Sequence, residues 1–173
     1  ALTVGISIKN IKDGLLKFKG VQRRFNKIFT HNNIDFFDDY AHHPTEIKTV
    51  LDGVNKVYRD HEKVCIFQPH RISRLKDLRK EFSFAFKDAD IVVLCPIYSA
   101  GEKIKLGFDY IQFAKEIIRN SKVKLFLVND NFQLAKFIKN NIYGKKIVIG
   151  MGAGTISNWM RKLPELMKWK LTN

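Results

Sequence analysis

The chain has 173 residues, of which 45% are hydrophobic and 28% are charged, a composition that excludes a disordered chain and indicates a globular domain. No apolar run approaches the roughly 20 residues of a membrane span, so we expect no membrane partner. The net charge is +14, but basic residues cluster only in pairs, so we attribute it to lysine-rich composition and expect no sequence-specific binding to nucleic acid.

The two cysteines, Cys65 and Cys95, both lie inside apolar runs. This placement predicts buried free thiols in a reducing compartment rather than a disulfide or a metal site. Residues 1–20 also lack the basic start and continuous apolar stretch of a secretory signal. Together these features favour a cytoplasmic location.

The first predicted element is a helix over residues 8–18, with Ser7 as its N-cap and Gly20 as its stop. Two short strands follow at 25–30 and 34–37, around a turn at His31, Asn32 and Asn33. The first helix stands apart from the pattern that follows. We therefore predict that residues 1–25 are the tail of a preceding domain with a linker, and that 26–173 form one domain.

Helices and strands then alternate to the end of the chain. Apolar runs predict further strands at 64–67, 91–95, 123–128 and 147–149. Apolar stripes at helical spacing predict helices over 47–58, 75–86, 110–118 and 134–142, and a last helix from 156 that Pro164 should break or restart. Because the strands are continuously apolar, both of their faces should be covered. This predicts an α/β fold, a mostly parallel sheet with helices on both faces.

Ligands bind beyond the carboxyl ends of the strands in such a sheet, and polar loops follow the predicted strands there. Residues 38–46 contain two carboxylates, Asp38 and Asp39, and two imidazoles, His42 and His43. As a set they favour a nucleotide or metal–phosphate site over simple turn and capping chemistry. With His70 the two histidines are a possible zinc cluster, which only loop spacing supports, so we predict no metal site.

Two guanidiniums, Arg71 and Arg74, follow the strand at 64–67 and suit capture of a carboxylate or a phosphate. They share a helix face if the helix has begun there, and are loop neighbours if Ser73 is the N-cap; a solvated salt-bridge site is the alternative. The glycine-rich stretch 150–157 feeds a helix N-terminus able to hold an anion. The chain has no phosphate loop of the pattern G-x-x-x-x-G-K-S/T.

Five motifs, in this order, resemble the C-terminal part of the Mur ligases: GVQRRF (20–25), DDYAHHPTE (38–46), FQPHR (67–71), YSAGE (98–102) and GAGTIS (152–157). The resemblance covers essentially the whole chain, and the second and third motifs are specific as a pair. It implies a Rossmann-like C-terminal domain at 26–173, preceded by a hinge at 20–25 and the end of a central ATPase domain. The phosphate loop would then lie upstream of this chain.

The resemblance also implies a reaction. In such ligases of bacterial peptidoglycan biosynthesis, ATP phosphorylates the carboxylate of UDP-N-acetylmuramate, and the amine of L-alanine attacks the acyl phosphate. The implied cofactors are ATP and Mg²⁺, with Mg²⁺ held mostly by the central domain, and the implied partners include the N-terminal and central domains of the same chain. Positioning and charge neutralisation dominate such chemistry, so no residue is assigned a covalent role.

By their positions in the matching motifs, three residues resemble the ATP-binding residues of the Mur ligases: Arg24, Asp39 and Tyr40. Arg24 would reach the phosphates, although Arg23 is an alternative, and Asp39 would accept from the ribose. Four residues look like the group that holds the amino acid: His42, His70, Arg71 and Arg74. Residues 152–157 would border that pocket. The competing functions are a nucleic-acid-binding module, suggested by charge alone, and a stand-alone nucleotide-binding protein.

Overall fold

A computed structural model describes residues 2–17, 21–102 and 107–168. After a 3₁₀ turn at Leu2–Val4, its helices are α1 Ile8–Lys17, α2 Pro44–Val57, α3 Ile72–Asp77, α4 Arg79–Phe84, α5 Tyr110–Ser121, α6 Asn131–Asn141 and α7 Ile156–Leu166. Its strands are β1 Asn26–His31, β2 Ile34–Asp39, β3 Glu62–Phe67, β4 Ile91–Leu94, β5 Lys124–Leu127 and β6 Lys146–Met151. Phe18 and Gly20, predicted at the end of the first helix, lie outside the described residues.

The strands form one sheet in the order β1-β2-β6-β3-β4-β5. Every neighbouring pair is parallel except β1 and β2, which form an antiparallel hairpin. The hairpin turn is made by Asn32 and Asn33, whose φ angles of 49° and 62° suit the side chain that tolerates this conformation best after glycine. The predicted hairpin and mostly parallel sheet are confirmed.

Two apolar cores lie on opposite faces of the sheet, and alternate strand residues supply both. Helices α2 to α5 cover one face, where buried phenylalanines such as Phe67, Phe82 and Phe113 pack together. Helices α6 and α7 cover the other through Leu134, Ile138 and neighbouring residues. The predicted layers are therefore confirmed, as is the burial of the two free cysteines.

Three predictions about individual elements were wrong. Residues 75–86 form two helices, because the backbone at Leu78 (φ −113°, ψ 24°) leaves the helical region and turns the chain between α3 and α4. Pro164 lies inside α7 without breaking it, since it stands in the last turn with its ring buried. Strand β5 is not covered on both faces, because it is the edge of the sheet and leaves Phe126 and Leu127 about two-fifths exposed at 41% and 42%.

Helix α1 is amphipathic, yet none of its residues is buried among the described ones. The division at residue 25 between a preceding domain and the sheet domain stays a prediction. Within the described ranges, no helix is both long and apolar enough to cross a membrane.

Candidate functional site

The loops that follow β2, β3, β4 and β6 meet at the carboxyl edge of the sheet, and we call this surface the strand-end site. A parallel bridge joins His70 to Tyr98, and the Gly152 amide donates to the Asp39 carbonyl at 3.2 Å. Parallel strand order β2-β6-β3-β4 makes these loops neighbours although they are far apart in the chain. Four of the five motifs singled out in the sequence therefore contribute to one surface.

Asp39 fastens the turn before β1 to the end of β2. It is 3% exposed, and its two carboxylate oxygens accept from the backbone amides of Phe25 and Ala41, each at 2.7 Å. Burial raises the pKa of Asp39, although those two hydrogen bonds oppose the shift. The partners found for this carboxylate are backbone amides, and its predicted contact with a ribose stays a prediction.

Two adjacent arginines share the ring of Tyr40 but differ in their other partners. The Arg23 guanidinium lies 4.7 Å from the ring centroid and donates to the Gly152 carbonyl at 2.5 Å. The Arg24 guanidinium lies 5.8 Å from the same centroid and is exposed. In the described part of the chain, no group accepts a hydrogen bond from the Arg24 side chain. Arg24 is thus the one with a guanidinium available for an anion.

Glu46 closes the loop at the start of α2. Its Oε2 accepts from the amides of His42 and His43 at 2.9 and 3.1 Å, while His43 Nδ1 accepts from the Thr45 amide. This is a capping box in which histidine replaces the usual hydroxyl residue. Burial acts against ionisation of Glu46, but the two amide hydrogen bonds outweigh it and lower its pKa.

We expect Glu46→Gln to destabilise the fold by about 0.3–1 kcal/mol at pH 7, because the amide keeps the acceptor oxygen of the cap but loses the negative charge that a helix N-terminus favours. The folded state favours the ionised carboxylate, so this stabilisation is present above the unfolded-state pKa and is lost as pH falls through the lower folded-state pKa. Urea unfolding of both proteins between pH 7 and pH 4 should show the difference shrinking with acid. Glu165→Gln, at an exposed position of α7, is the matched control. A constant difference across this range would contradict the capping role.

Three rings form the centre of the strand-end site. The His42 and His70 centroids are 5.6 Å apart, and His70 stacks on Tyr98 at 5.5 Å. Burial and the nearby Arg74 charge lower the pKa of His70, which favours the neutral imidazole. Its Nδ1 accepts from Arg74 at 3.3 Å. The structure brings His42 and His70 together, whereas the His43 side chain is used in the cap of α2.

Arg71 and Arg74 neither share a helix face nor lie together in a loop before Ser73. Helix α3 begins at Ile72, and Arg71 is its N-cap residue with φ +70° and ψ 130°. Arg74 lies within α3 and bonds to His70, while Arg71 is exposed and held through its amide, which donates to the Tyr98 carbonyl at 2.8 Å. Arg71 therefore presents its side chain to solvent at the strand-end site.

Glu102 and Gln68 support this site, and sequence reasoning missed both roles. Glu102 accepts from the Ile72 and Ser73 amides at 2.8 and 3.2 Å and thereby caps α3, and the Ser73 hydroxyl donates to its other oxygen. The hydrogen bond from the Ser73 hydroxyl, despite some burial, lowers the pKa of Glu102. Gln68 Oε1 accepts from the Ile156 amide at 3.0 Å and caps α7. Gln68 stands in the FQPHR motif directly after a strand, but no sequence pattern indicated that it caps α7.

The glycines of the 150–157 stretch allow close packing. A Cβ at Gly152 would lie 2.7 Å from the Gln68 carbonyl oxygen, and a Cβ at Gly154 would lie 2.6 Å from the Tyr98 ring. The stretch therefore borders the ring cluster. Because Gln68 already occupies the first amide of α7, packing explains these glycines and the predicted anion site at this helix stays a prediction. Within residues 2–17, 21–102 and 107–168, no three His, Cys, Asp or Glu side chains group as a metal site.

The fold and the strand-end site define a Rossmann-like α/β domain. The family model described as "Mur ligase, glutamate ligase domain" matches residues 23–154, and the chain belongs to this family. It is 71% identical over 96% of its length to the UDP-N-acetylmuramate–L-alanine ligase of Pelagibacter ubique, of which it covers 36%. It is 50% identical over 92% of its length to the ligase of the same name from Brachyspira hyodysenteriae, of which it covers 35%.

Solved structures agree with this relationship. The UDP-N-acetylmuramate-alanine ligase of Thermotoga maritima superimposes with a TM-score of 0.71 at 27% identity, over 96% of this chain and 34% of that one. A murein peptide ligase of Psychrobacter arcticus has the same fold, with a TM-score of 0.72 at 22% identity over 99% of this chain and 35% of that one. The chain thus spans about a third of the length of the relatives it matches.

Proposed function

We propose that this chain is the C-terminal domain of an ATP-dependent ligase that joins L-alanine to UDP-N-acetylmuramate through an acyl phosphate, in the bacterial cytoplasm. The observation that carries the proposal is a pair of exposed guanidiniums at one edge of the sheet. Arg24 lies beside the end of β2 and Arg71 at the end of β3, and β6 alone separates these strands. Two strand spacings amount to about 10 Å, which suits two adjacent anionic ligands.

The two arginines fit different anions in this proposal. Arg24, close to Tyr40, would neutralise charge on the ATP phosphates as the acyl phosphate forms. Arg71 would hold the carboxylate of L-alanine by two parallel hydrogen bonds, so that the amine faces the acyl phosphate. The neutral ring of His70, fixed by Arg74 and Tyr98, would line the space between them together with His42.

The carboxylates of this site are already engaged within the chain. Asp39, Glu46 and Glu102 each accept backbone amides, and Asp38 accepts the Ser157 hydroxyl. Among the described residues, no three of these groups come together as a site for a divalent cation. We therefore assign the binding of Mg²⁺ to the remaining two thirds of the longer polypeptide, together with the phosphate loop.

The test replaces the matching segment of the Pelagibacter ubique ligase with this chain. Phosphate release is measured with ATP, UDP-N-acetylmuramate and L-alanine for the chimaera, the unmodified relative and this chain alone. We expect turnover by the chimaera, dependent on all three substrates, and none by this chain alone. A folded but inactive chimaera would contradict the proposed function, and turnover by the isolated chain at the chimaera's rate would contradict the division of roles.

A further inference from the structure

Arg23 contacts the sheet domain on three sides. Besides its hydrogen bond to the Gly152 carbonyl and its place over Tyr40, its Nε lies 3.9 Å from Asp38 Oδ2. Its side chain is 25% exposed, and the Asp38 side chain is fully buried at 0%. The Arg23 carbonyl also accepts from the Tyr40 amide at 2.8 Å. Arg23 therefore ties the segment before β1 to the ends of both β2 and β6.

Asp38 explains why a positive charge belongs at this point. A buried carboxylate without a compensating cation is strongly destabilising. Asp38 Oδ2 accepts from the Ser157 hydroxyl and lies 3.4 Å from Arg161, but Arg161 is 52% exposed, so Arg23 is the more buried of its two cationic neighbours. In the described part of the chain, Asp38 Oδ1 and Arg23 Nε are buried without a hydrogen-bond partner, so the charge of Arg23, 3.9 Å from Oδ2, is what offsets the burial of this carboxylate on that side.

We infer that Arg23 is a positioning residue that holds Tyr40 and Arg24 in place for the ATP phosphates, an inference that rests on the proposed function. Its guanidinium contacts Asp38, Gly152 and Tyr40 and its side chain is mostly buried, whereas the neighbouring Arg24 is exposed. Its effect passes through the Tyr40 ring, over which Arg24 also lies, and through the backbone that carries Arg24. The two adjacent arginines therefore have different roles: Arg23 positions the site, and Arg24 contacts the ligand.

The test is a double-mutant cycle in the chimaera with Arg23→Ala, Arg24→Ala and both together, read as kcat/KM for ATP. Arg24→Ala should lower this value about 10- to 150-fold, as for a lost charged hydrogen bond. Arg23→Ala should lower it by a similar factor, and the double variant should lie within about threefold of Arg24→Ala alone, because a residue acting through Arg24 has nothing left to position. The kcat/KM for L-alanine, at saturating ATP, should change less than threefold.

Losses that multiply in the double variant would overturn the inference, since a separate structural role is additive. If Arg24→Ala lowers kcat/KM for ATP and Arg23→Ala does not, the positioning role of Arg23 is refuted but the phosphate role of Arg24 stands. If Arg24→Ala leaves kcat/KM for ATP unchanged, the proposed phosphate role of Arg24 is refuted as well. Arg59 precedes β3 at the amino ends of the parallel strands, away from the strand-end site. Arg59→Ala is therefore the matched control and should leave kcat/KM for both substrates unchanged. If Arg23→Ala melts below the assay temperature, Arg23→Lys replaces it in the cycle, because its ammonium can reach Gly152 but cannot lie flat over Tyr40.

Discussion

Arg71→Ala in the chimaeric ligase should lower kcat/KM for L-alanine by roughly 10- to 150-fold while leaving kcat/KM for ATP within a fewfold of the original. The exposed guanidinium suits a carboxylate, and L-alanine offers little else to recognise because its methyl group is small. A charged hydrogen-bond partner contributes about 1.5–3 kcal/mol, which corresponds to that range at about 1.4 kcal/mol per decade. Steady-state kinetics with each substrate varied in turn measure both values.

The backbone of Arg71 allows a sharper version of this experiment. Its φ of +70° with ψ 130° lies in a region that glycine adopts readily and that strains other residues by about 1–3 kcal/mol. Arg71→Gly should therefore impair the use of L-alanine as much as Arg71→Ala does, yet resist urea unfolding better. A more stable but less active Arg71→Gly variant would show that the strained backbone at this position is retained because the side chain binds a ligand.

Arg71→Lys is the conservative control, since it keeps the charge but loses the two parallel hydrogen bonds. Its kcat/KM for L-alanine should lie between the values for the unsubstituted chimaera and for Arg71→Ala. The assignment of the two arginines to two substrates would be refuted if Arg71→Ala impaired the use of ATP and spared L-alanine. Arg71 would then serve the phosphates, and Arg24 would need a different role.

Local patterns predicted the fold well where local forces decide it. The apolar runs of β3, β4 and β6 are confirmed because strands between two helical layers must be apolar on both faces. The hairpin turn was predicted by Asn32 and Asn33, which tolerate the positive φ that such a turn requires. The exposure of β5 escaped prediction, since a strand's position at the edge depends on sheet order and not on its own residues.

The strand-end site was predictable as a location but not as a set of contacts. Carboxyl ends of parallel strands meet at one edge, so the loops after them were expected there, and the structure brings His42 and His70 from two of these loops together. The pairing of Arg23 with Gly152 spans 129 positions in the chain, and no local pattern encodes it. The caps made by Gln68 and Glu102 also join distant positions, 88 and 30 residues apart, because each carboxamide or carboxylate caps a helix that another segment supplies.

Gly152→Ala should destabilise the isolated chain by about 2–6 kcal/mol, a sum of two separate costs. The φ of Gly152 is +148°, where a side chain is strained by about 1–3 kcal/mol. Its new Cβ would also lie 2.7 Å from the Gln68 carbonyl oxygen, and crowding of packed atoms costs about 1–3 kcal/mol more. Because that clash is with backbone, a rotamer change cannot relieve it.

Urea unfolding followed by circular dichroism measures this effect, with Gly53→Ala as the matched control. Gly53 is exposed in the middle of α2, and no atom lies within 4 Å of the position that its Cβ would take. Alanine should stabilise the chain there by about 0.5–1 kcal/mol through helix propensity. The same change of residue should thus shift stability in opposite directions at the two positions. Equal changes in the free energy of unfolding would show that Gly152 is not packed as closely against the Gln68 carbonyl as the 2.7 Å distance requires. That result would also count against the hydrogen bond that holds Arg23 to the Gly152 carbonyl.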